Sequence, residues 1–243
     1  MRLKEKIIRL KTVDSSHKLA VRLVEGGKAE ECAIVAEVQT DGVGRCGGRR
    51  WESPKGTISL SVIRKIPPHK EFGRLSLAVG VAVHEAILRY VPSELYLHWP
   101  NDVYYKNSKV AGILIAVIDS WAIISAGINV NSAPNAANSA CLKDARGSEI
   151  PLEELLECVL AGLRERFDNF DPGKFSFIKD YWLRFVKDIG RKVTIKNGVD
   201  SIEGIFKGID DSGRLILEKD GRNAFISSGD MFLNTESVTV NYE

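Results

Sequence analysis

The sequence contains no run of roughly 18 apolar residues, so no helix is expected to span a membrane. It is poor in cysteine. Only Cys32, Cys46, Cys141 and Cys158 occur, with no C-x-x-C pair and no histidine at ligand spacing, which argues against a structural zinc site and a disulfide framework. Net charge is also scarce, since 34 Lys and Arg face 32 Asp and Glu and leave only +2. No global basic field exists to hold nucleic acid, so any positive charge that matters must be local. The opening residues Met1 to Lys6 carry charges where a secretory signal would need an apolar stretch. No internal repeat or low-complexity tract is present. These absences predict a cytoplasmic protein with reduced thiols and with neither a membrane nor a nucleic acid as partner.

What is present is an ordinary globular composition: 243 residues, 44% apolar and 27% charged, enough for one large and one small domain. A helix is expected after Asp14-Ser15-Ser16, where Leu19, Ala20, Leu23 and Val24 have helical spacing and Ser15 or Ser16 can cap. Cys32 to Val38 and Thr57 to Ile63 read as strands, separated by a loop from Gln39 to Pro54 that is rich in glycine and arginine. Arg74 to Tyr90 is apolar around most of its circumference, the mark of a buried helix, and His84 within it is expected to be a satisfied core residue. A strand at Leu95 to His98 precedes a hairpin of Val103 to Tyr105 and Val110 to Ile118 about the turn Lys106-Asn107-Ser108, and Trp121 to Val130 continues the sheet. Asn131 to Gly147 reads as a surface excursion, and Pro151 to Phe170 and Lys174 to Val186 as helices. Beyond Ile189-Gly190 short strands alternate with Gly and Asp turns, which predicts a small β-barrel. The expected organisation is therefore residues 1–186 and residues 187–243.

Four constellations carry potential chemistry, and each also has a purely structural reading. The loop Gly42-Val43-Gly44-Arg45-Cys46-Gly47-Gly48-Arg49-Arg50-Trp51 combines close backbone approach with guanidinium donors, as a phosphate-bearing ligand requires, yet a surface hairpin with solvated arginines would look the same. Asn101-Asp102 after Trp99-Pro100 offers oxygen ligands for Mg²⁺, or an ordinary turn. Lys109 opens an apolar strand that Gly112 interrupts. This would neutralise an anion beside a ligand lying on backbone, or simply guard a sheet edge. Gly127-Ile128-Asn129 can present an amide to a base, or be a plain turn.

Taken in order, Asp14-Ser15-Ser16, Gln39-x-x-Gly42-x-Gly44-Arg45-x-Gly47, Trp99-Pro100-Asn101-Asp102, Lys109-x-Ala111-Gly112-Ile113-Leu114 and Gly127-Ile128-Asn129 resemble the biotin–protein ligases. The resemblance implies an α+β fold, a mixed sheet flanked by helices and related to class II aminoacyl-tRNA synthetases, followed by an SH3-like barrel. It implies a ligase that uses ATP and Mg²⁺ to turn biotin into biotinyl-AMP and passes the acyl group to a lysine of a biotin carboxyl carrier protein. Arg45 and Lys109 would be the catalytic cations. Ser15, Ser16, Gln39, Gly42, Arg45, Lys109 and Gly112 would surround biotin; Arg49, Trp51, Asn101 and Asn129 would take the nucleotide, and Asp102 the metal.

The chain departs from the family pattern at Val43 and Gly48, where arginines are usual, and Arg49 or Arg50 would then take over the missing role. It also has His98 in place of a lysine and His17 in place of an asparagine-like residue. The expectation from His98 is weaker ATP affinity that improves as the imidazole protonates. Lipoate or octanoyl transfer is the alternative activity. Only about a dozen residues precede Val13-Asp14-Ser15, too few for a DNA-binding domain, so operator binding is not expected. Exposed sheet edges would allow a homodimer. Substituting Arg45→Gly should release the adenylate early and let unrelated lysines be labelled. An unchanged adenylate off-rate would show that Arg45 is not the clamp.

Overall fold

The computed structural model describes residues 6–44, 50–66, 72–136, 138–168 and 175–234. Among them a seven-stranded sheet runs in the order β1-β2-β3-β7-β6-β5-β4. Its strands are β1 (Lys6–Val13), β2 (Cys32–Gln39), β3 (Ile58–Lys65), β4 (Leu95–His98), β5 (Asp102–Tyr105), β6 (Ser108–Ile118) and β7 (Trp121–Ile128). The β1–β2 pair is parallel and the others antiparallel, so the sheet is mixed as expected. Five further strands form an antiparallel, SH3-like sheet in the order β11-β10-β9-β8-β12. They are β8 (Lys192–Asn197), β9 (Asp200–Ile209), β10 (Leu215–Lys219), β11 (Arg222–Ile226) and β12 (Asp230–Leu233).

The helices divide between the two faces of the large sheet. On one face lies α1 (Ser16–Glu25), whose Ala20 and Val24 pack with Cys32, Ile34, Ile63 and Ile123. On the other lies α2 (Phe72–Leu88), backed by α4 (Leu152–Asp168) and α5 (Phe175–Phe185). This side holds the main core, including Ile58, Leu60, Val62, Ile124, Ala126 and Ile128 from the central strands. Each of the Ile, Leu and Val side chains among them contributes about 1.5–3 kcal/mol when withdrawn from water. The two-residue period of β3 and β7 therefore sends their apolar side chains to α2, while Ser59, Ser61, Ser125 and Gly127 face the side of α1. That division positions the site described below.

The small sheet is packed onto the large unit rather than tethered to it. Val193, Ile195, Phe206, Ile209, Leu215, Leu217 and Met231 belong to the same continuous core. Phe206 meets Trp182 edge-on at 6.4 Å between ring centroids. Arg74 Nε donates to the Asp211 carbonyl at 2.6 Å, Lys179 pairs with the Asp211 carboxylate at 2.8 Å, and Gly213, at φ +79°, lets its turn approach the backbone of Gly73.

Most expected elements form within two residues of their expected bounds. Three form that were not expected: β1, the short helix α3 (Leu142–Arg146) inside the polar excursion, and β12. Among the described residues Cys32, Cys141 and Cys158 form no disulfide. No helix among the described residues is long and apolar enough to cross a membrane. His84 is buried in α2 and fully satisfied. Its Nε2–H donates to the Leu95 carbonyl at 3.2 Å, and its Nδ1 accepts from the Tyr181 hydroxyl at 2.9 Å.

Burial pushes the His84 imidazole down to about 4. The unfolded chain gains that proton near pH 6.5, while the folded chain resists it. Stability is therefore undiminished above pH 6.5 and falls as pH drops from there toward 4, by up to about 3 kcal/mol. A His84→Asn variant should show a lower melting temperature at neutral pH but a flatter decline between pH 6.5 and 4.5. Parallel curves would assign the acid lability to other groups.

Candidate active site

The N-terminus of α1 points into a cleft that encloses about 750 Å³ of space, part of it open to solvent. Ser15 is the N-cap, in extended backbone conformation, and its Oγ accepts from the Lys18 N–H at 3.4 Å. Asp14 pairs with Arg22 at 2.6 Å and also accepts the Ser15 N–H; the guanidinium and that N–H hold its carboxyl down at about 2. The next amide, Ser16 N–H, is an unpaired donor of the first helical turn, and Gln39 Oε1 from the end of β2 accepts it at 2.8 Å. A helix start and a strand end are thus locked together by one side-chain amide.

The floor of the cleft follows from sheet register. Ser59 on β3 lies opposite Gly127 on β7, Gly127 opposite Gly112 on β6, and Gly112 opposite Asp102 on β5. One row of small residues therefore crosses four neighbouring strands and ends in a carboxylate. The parallel row sets Ser61 against Ser125. The Trp51 indole rests on the glycine row. A Cβ built on Gly127 would meet it at 2.3 Å, and one on Gly112 at 3.1 Å. Gly42 is needed for a related reason, because a Cβ there would meet the Trp51 carbonyl at 2.3 Å.

The mouth of the cleft is charged. Lys109 Nζ pairs with Asp102 at 2.7 Å and stands 5.5 Å from the centre of the Trp51 ring. Arg50 donates to the Thr40 carbonyl at 2.8 Å and lies 3.8 Å from Asp41, whose carboxylate also binds Lys18; that contact holds the Asp41 carboxyl below its usual range. Asn101 Oδ1 and Asn129 Oδ1 are buried acceptors with no hydrogen-bond partner among the described residues. The amide nitrogens of both are engaged, Asn101 with the Ile113 carbonyl and Asn129 with Ser139 Oγ at 3.3 Å and the Ala140 carbonyl at 3.2 Å. Among the described residues no group of three or more His, Cys, Asp or Glu side chains gathers to hold a metal. An ion at Asn101 and Asp102 would have to be completed by oxygens from a ligand.

Of the residues singled out from sequence, Ser15, Ser16, Gln39, Trp51, Asn101, Asp102, Lys109 and Gly112 line this one cleft. Gly42 lines the adjoining hollow, shared with Gln39, Arg50 and Trp51. Asn129 is buried at the end of β7 and lines neither. Arg45 and Arg49 lie outside the described residues. At Gly112, where a ligand was expected to lie on the backbone, the Trp51 indole and the Lys109 side chain rest on the glycine. His98 was expected to strengthen ATP binding when protonated, but it turns to the small sheet. Its Nε2–H donates to the Met231 carbonyl at 3.0 Å, its ring stacks on Tyr104, and it does not line the cleft. The ATP effect expected from its protonation therefore has no direct contact behind it. Sequence reading passed over Ser59, Ser61 and Ser125. The available signal was the period of two within their apolar runs, which puts a hydroxyl on the face opposite each aliphatic neighbour.

Gly127→Ala would place a methyl inside the indole and must move it. The expected result is a shifted tryptophan emission, absent when the same change is made in a Trp51→Phe background, with fold stability altered by no more than about 1 kcal/mol. Emission identical to that of the parent chain would show that Trp51 does not rest on this glycine.

The comparisons with known proteins point the same way. Residues 11–131 match the model of the biotin/lipoate A/B protein ligase family, and residues 188–234 match the biotin protein ligase C-terminal domain. The biotin–[acetyl-CoA-carboxylase] ligase of Mycobacterium tuberculosis is 32% identical over 88% of this chain and 83% of its own length. The bifunctional ligase/repressor BirA of Escherichia coli is 30% identical over 87% of this chain and 69% of its own. Among solved structures, the biotin protein ligase of Aquifex aeolicus in complex with biotin and ATP superposes with a TM-score of 0.84 at 28% identity, covering 96% of this chain and all of that one. Shared sequence over nearly the whole length, with the mixed sheet and the small terminal sheet in the same order, means that this chain belongs to the biotin/lipoate A/B protein ligase family.

Proposed function

We propose that the chain is an ATP-dependent biotin–protein ligase acting on the biotin carboxyl carrier protein of an acetyl-CoA carboxylase. The observation that carries this reading is the polarity of the cleft. Its floor is neutral and hydroxyl-lined, whereas its mouth carries Lys109 over Trp51 and beside Asp102. Such a cleft suits a neutral heterocycle with an acidic tail. The relatives' names and the biotin and ATP of the Aquifex complex support the same assignment.

A carboxylate is a poor acyl donor. In the first step a carboxylate oxygen of biotin attacks the α-phosphorus of ATP, the bond from that phosphorus to the β-bridging oxygen breaks, and pyrophosphate leaves. Two anions must meet, so the ammonium of Lys109 at the mouth offsets their repulsion and orients the carboxylate. Asp102 holds that ammonium in position. Asn101 and Asp102 fit a Mg²⁺ ion completed by phosphate oxygens, because Asn101 Oδ1 is an unpartnered buried acceptor and one or two protein oxygens suffice for such an ion. Mg²⁺ would supply charge neutralisation on the phosphates. The free acceptor of Asn129 would take an exocyclic N–H of adenine. In the second step the amine of the carrier lysine attacks the anhydride carbonyl, an amide forms, AMP leaves and the surplus proton passes to solvent. The guanidinium groups of Arg45 and Arg49 would supply further positive charge for the phosphates and the adenylate. A compartment holding ATP and keeping Cys32, Cys141 and Cys158 reduced fits a cytoplasmic enzyme.

The purified chain, supplied with ATP, Mg²⁺ and a carrier domain, should release pyrophosphate and label the carrier with biotin and not with lipoic acid. Absence of biotin-dependent pyrophosphate release would sink the reading. Lys109→Ala should lower the adenylation rate by ~10²–10³-fold. Retention of most of the rate would move the charge role to an arginine of the glycine loop.

A further inference from the structure

Beneath the cleft a chain of hydroxyls links α1 to the sheet, and proton counting gives it a direction. Gln39 Oε1 accepts the Ser16 backbone N–H at 2.8 Å, which fixes which end of the amide faces Ser16. That oxygen can only accept, so the Ser16 hydroxyl, 3.2 Å away, must donate to it. With its one proton used, Ser16 Oγ must accept from Ser61 Oγ at 2.8 Å. Ser61 in turn must accept from Ser125 Oγ at 2.8 Å. Ser125, its own proton used, must accept from His17 Nδ1 at 2.8 Å. His17 Nδ1 therefore carries a hydrogen. At the other end, Gln39 Nε2 donates to Ser53 at 2.8 Å and Ser59 at 3.2 Å, and the Ser59 hydroxyl donates to Ser53 at 3.0 Å.

Burial lowers the imidazole's affinity for a second proton, so the ring is neutral and Nε2 is a bare acceptor. Among the described residues Nε2 has no hydrogen-bond partner, and His17 lines the cleft with Ser16, Ser59 and Ser125. The O–H protons of these three serines all point into the chain. What they can offer a ligand is lone pairs. Ser15 is the exception: its oxygen accepts the Lys18 N–H, leaving its own proton available.

We infer that His17 is a specificity-determining residue: the hydroxyl chain, directed from Gln39, holds it as the Nδ1–H tautomer, so that its bare Nε2 joins the serine lone pairs in a floor of acceptors that admits a headgroup with ring N–H donors and turns away one without them. The inference rests on the biotin reading and deepens it. A cyclic urea brings two N–H donors for the acceptors and one carbonyl for the Ser15 hydroxyl. A dithiolane brings no N–H, and every acceptor it covers loses water without replacement. Selectivity between the two headgroups served by this family would then be a matter of proton direction in the floor, set from Gln39 and carried into the cleft by His17, where the family pattern has an asparagine-like residue.

Two measurements on the full chain test this. In ¹⁵N-histidine spectra, with the His17 signals assigned by their loss in His17→Asn, a protonated Nδ1 and a bare Nε2 are expected at pH 7.5. The opposite tautomer, or an imidazolium, overturns the proposal without any appeal to a variant's folding. In calorimetry the parent chain should bind biotin and desthiobiotin, which share the cyclic urea, and bind lipoic acid at least ~10³-fold more weakly. His17→Leu removes the Nε2 acceptor and the N–H that satisfies Ser125, and should weaken biotin binding ~10- to 100-fold while narrowing the gap to lipoic acid. His17→Asn, whose amide nitrogen can still donate to Ser125, should recover most of the loss. Biotin binding by a folded His17→Leu protein within twofold of the parent overturns the inference, as does equal affinity of the parent for lipoic acid. A parent chain that binds no biotin at all instead defeats the ligase reading on which it rests.

Discussion

The two-residue period of β3 and β7 is the constraint from which the rest follows. Both strands lie in the middle of a sheet covered on both faces, so neither can spare the aliphatic row that packs on α2. The opposite row is then free of the core's demands only where α1 stops. At that place Ser59, Ser61, Ser125 and Gly127 replace bulk with hydroxyls and bare backbone, whereas Ile63 and Ile123, farther along the same face, return to packing under the helix. The cleft is thus the segment of one sheet face that the helix leaves uncovered. Its depth is fixed by glycine and its polarity by serine.

A polar floor of this kind is stable only if its groups satisfy one another. The serines do so through Gln39, which joins the first turn of α1 to the end of β2. Charge is kept to the rim, where Lys109 and Asp102 remain partly exposed and need not bear full desolvation. Neutral groups below and ions above give the cleft two chemically distinct ends, and a ligand with a neutral ring and a charged tail has one orientation available to it.

How much of this was legible in the sequence depends on whether the determining contact was local. The start of α1 is written in Asp14-Ser15-Ser16, because a cap acts within one turn. The hairpin of β5 and β6 is written in its turn residues, and α2 in its uniform apolarity. In contrast, β1 has a half-exposed sequence of charges and aliphatics, and its partner is a parallel strand beginning at Cys32, so nothing local marks it. The segments α3 and β12 are too short to carry a period. Motif residues such as Lys109 and Asp102 were found because their chemistry is unusual for a strand. The floor serines escaped notice because a serine amid isoleucines looks like noise until the facing strand supplies its partner. His98 misled for a similar reason: its neighbour in the motif is local, but the Met231 carbonyl that claims it is far along the chain.

The Trp51 indole lying on Gly112 and Gly127 changes what an affinity for this cleft means. A guest that is to touch those glycines must first evict a resident, so binding there is an exchange between two flat aromatic groups and not the filling of a void. Every guest at that end would bear the same eviction penalty. Differences among guests would therefore be cleaner to interpret than any single dissociation constant, and a chain with a smaller resident would bind all of them more tightly by a common factor.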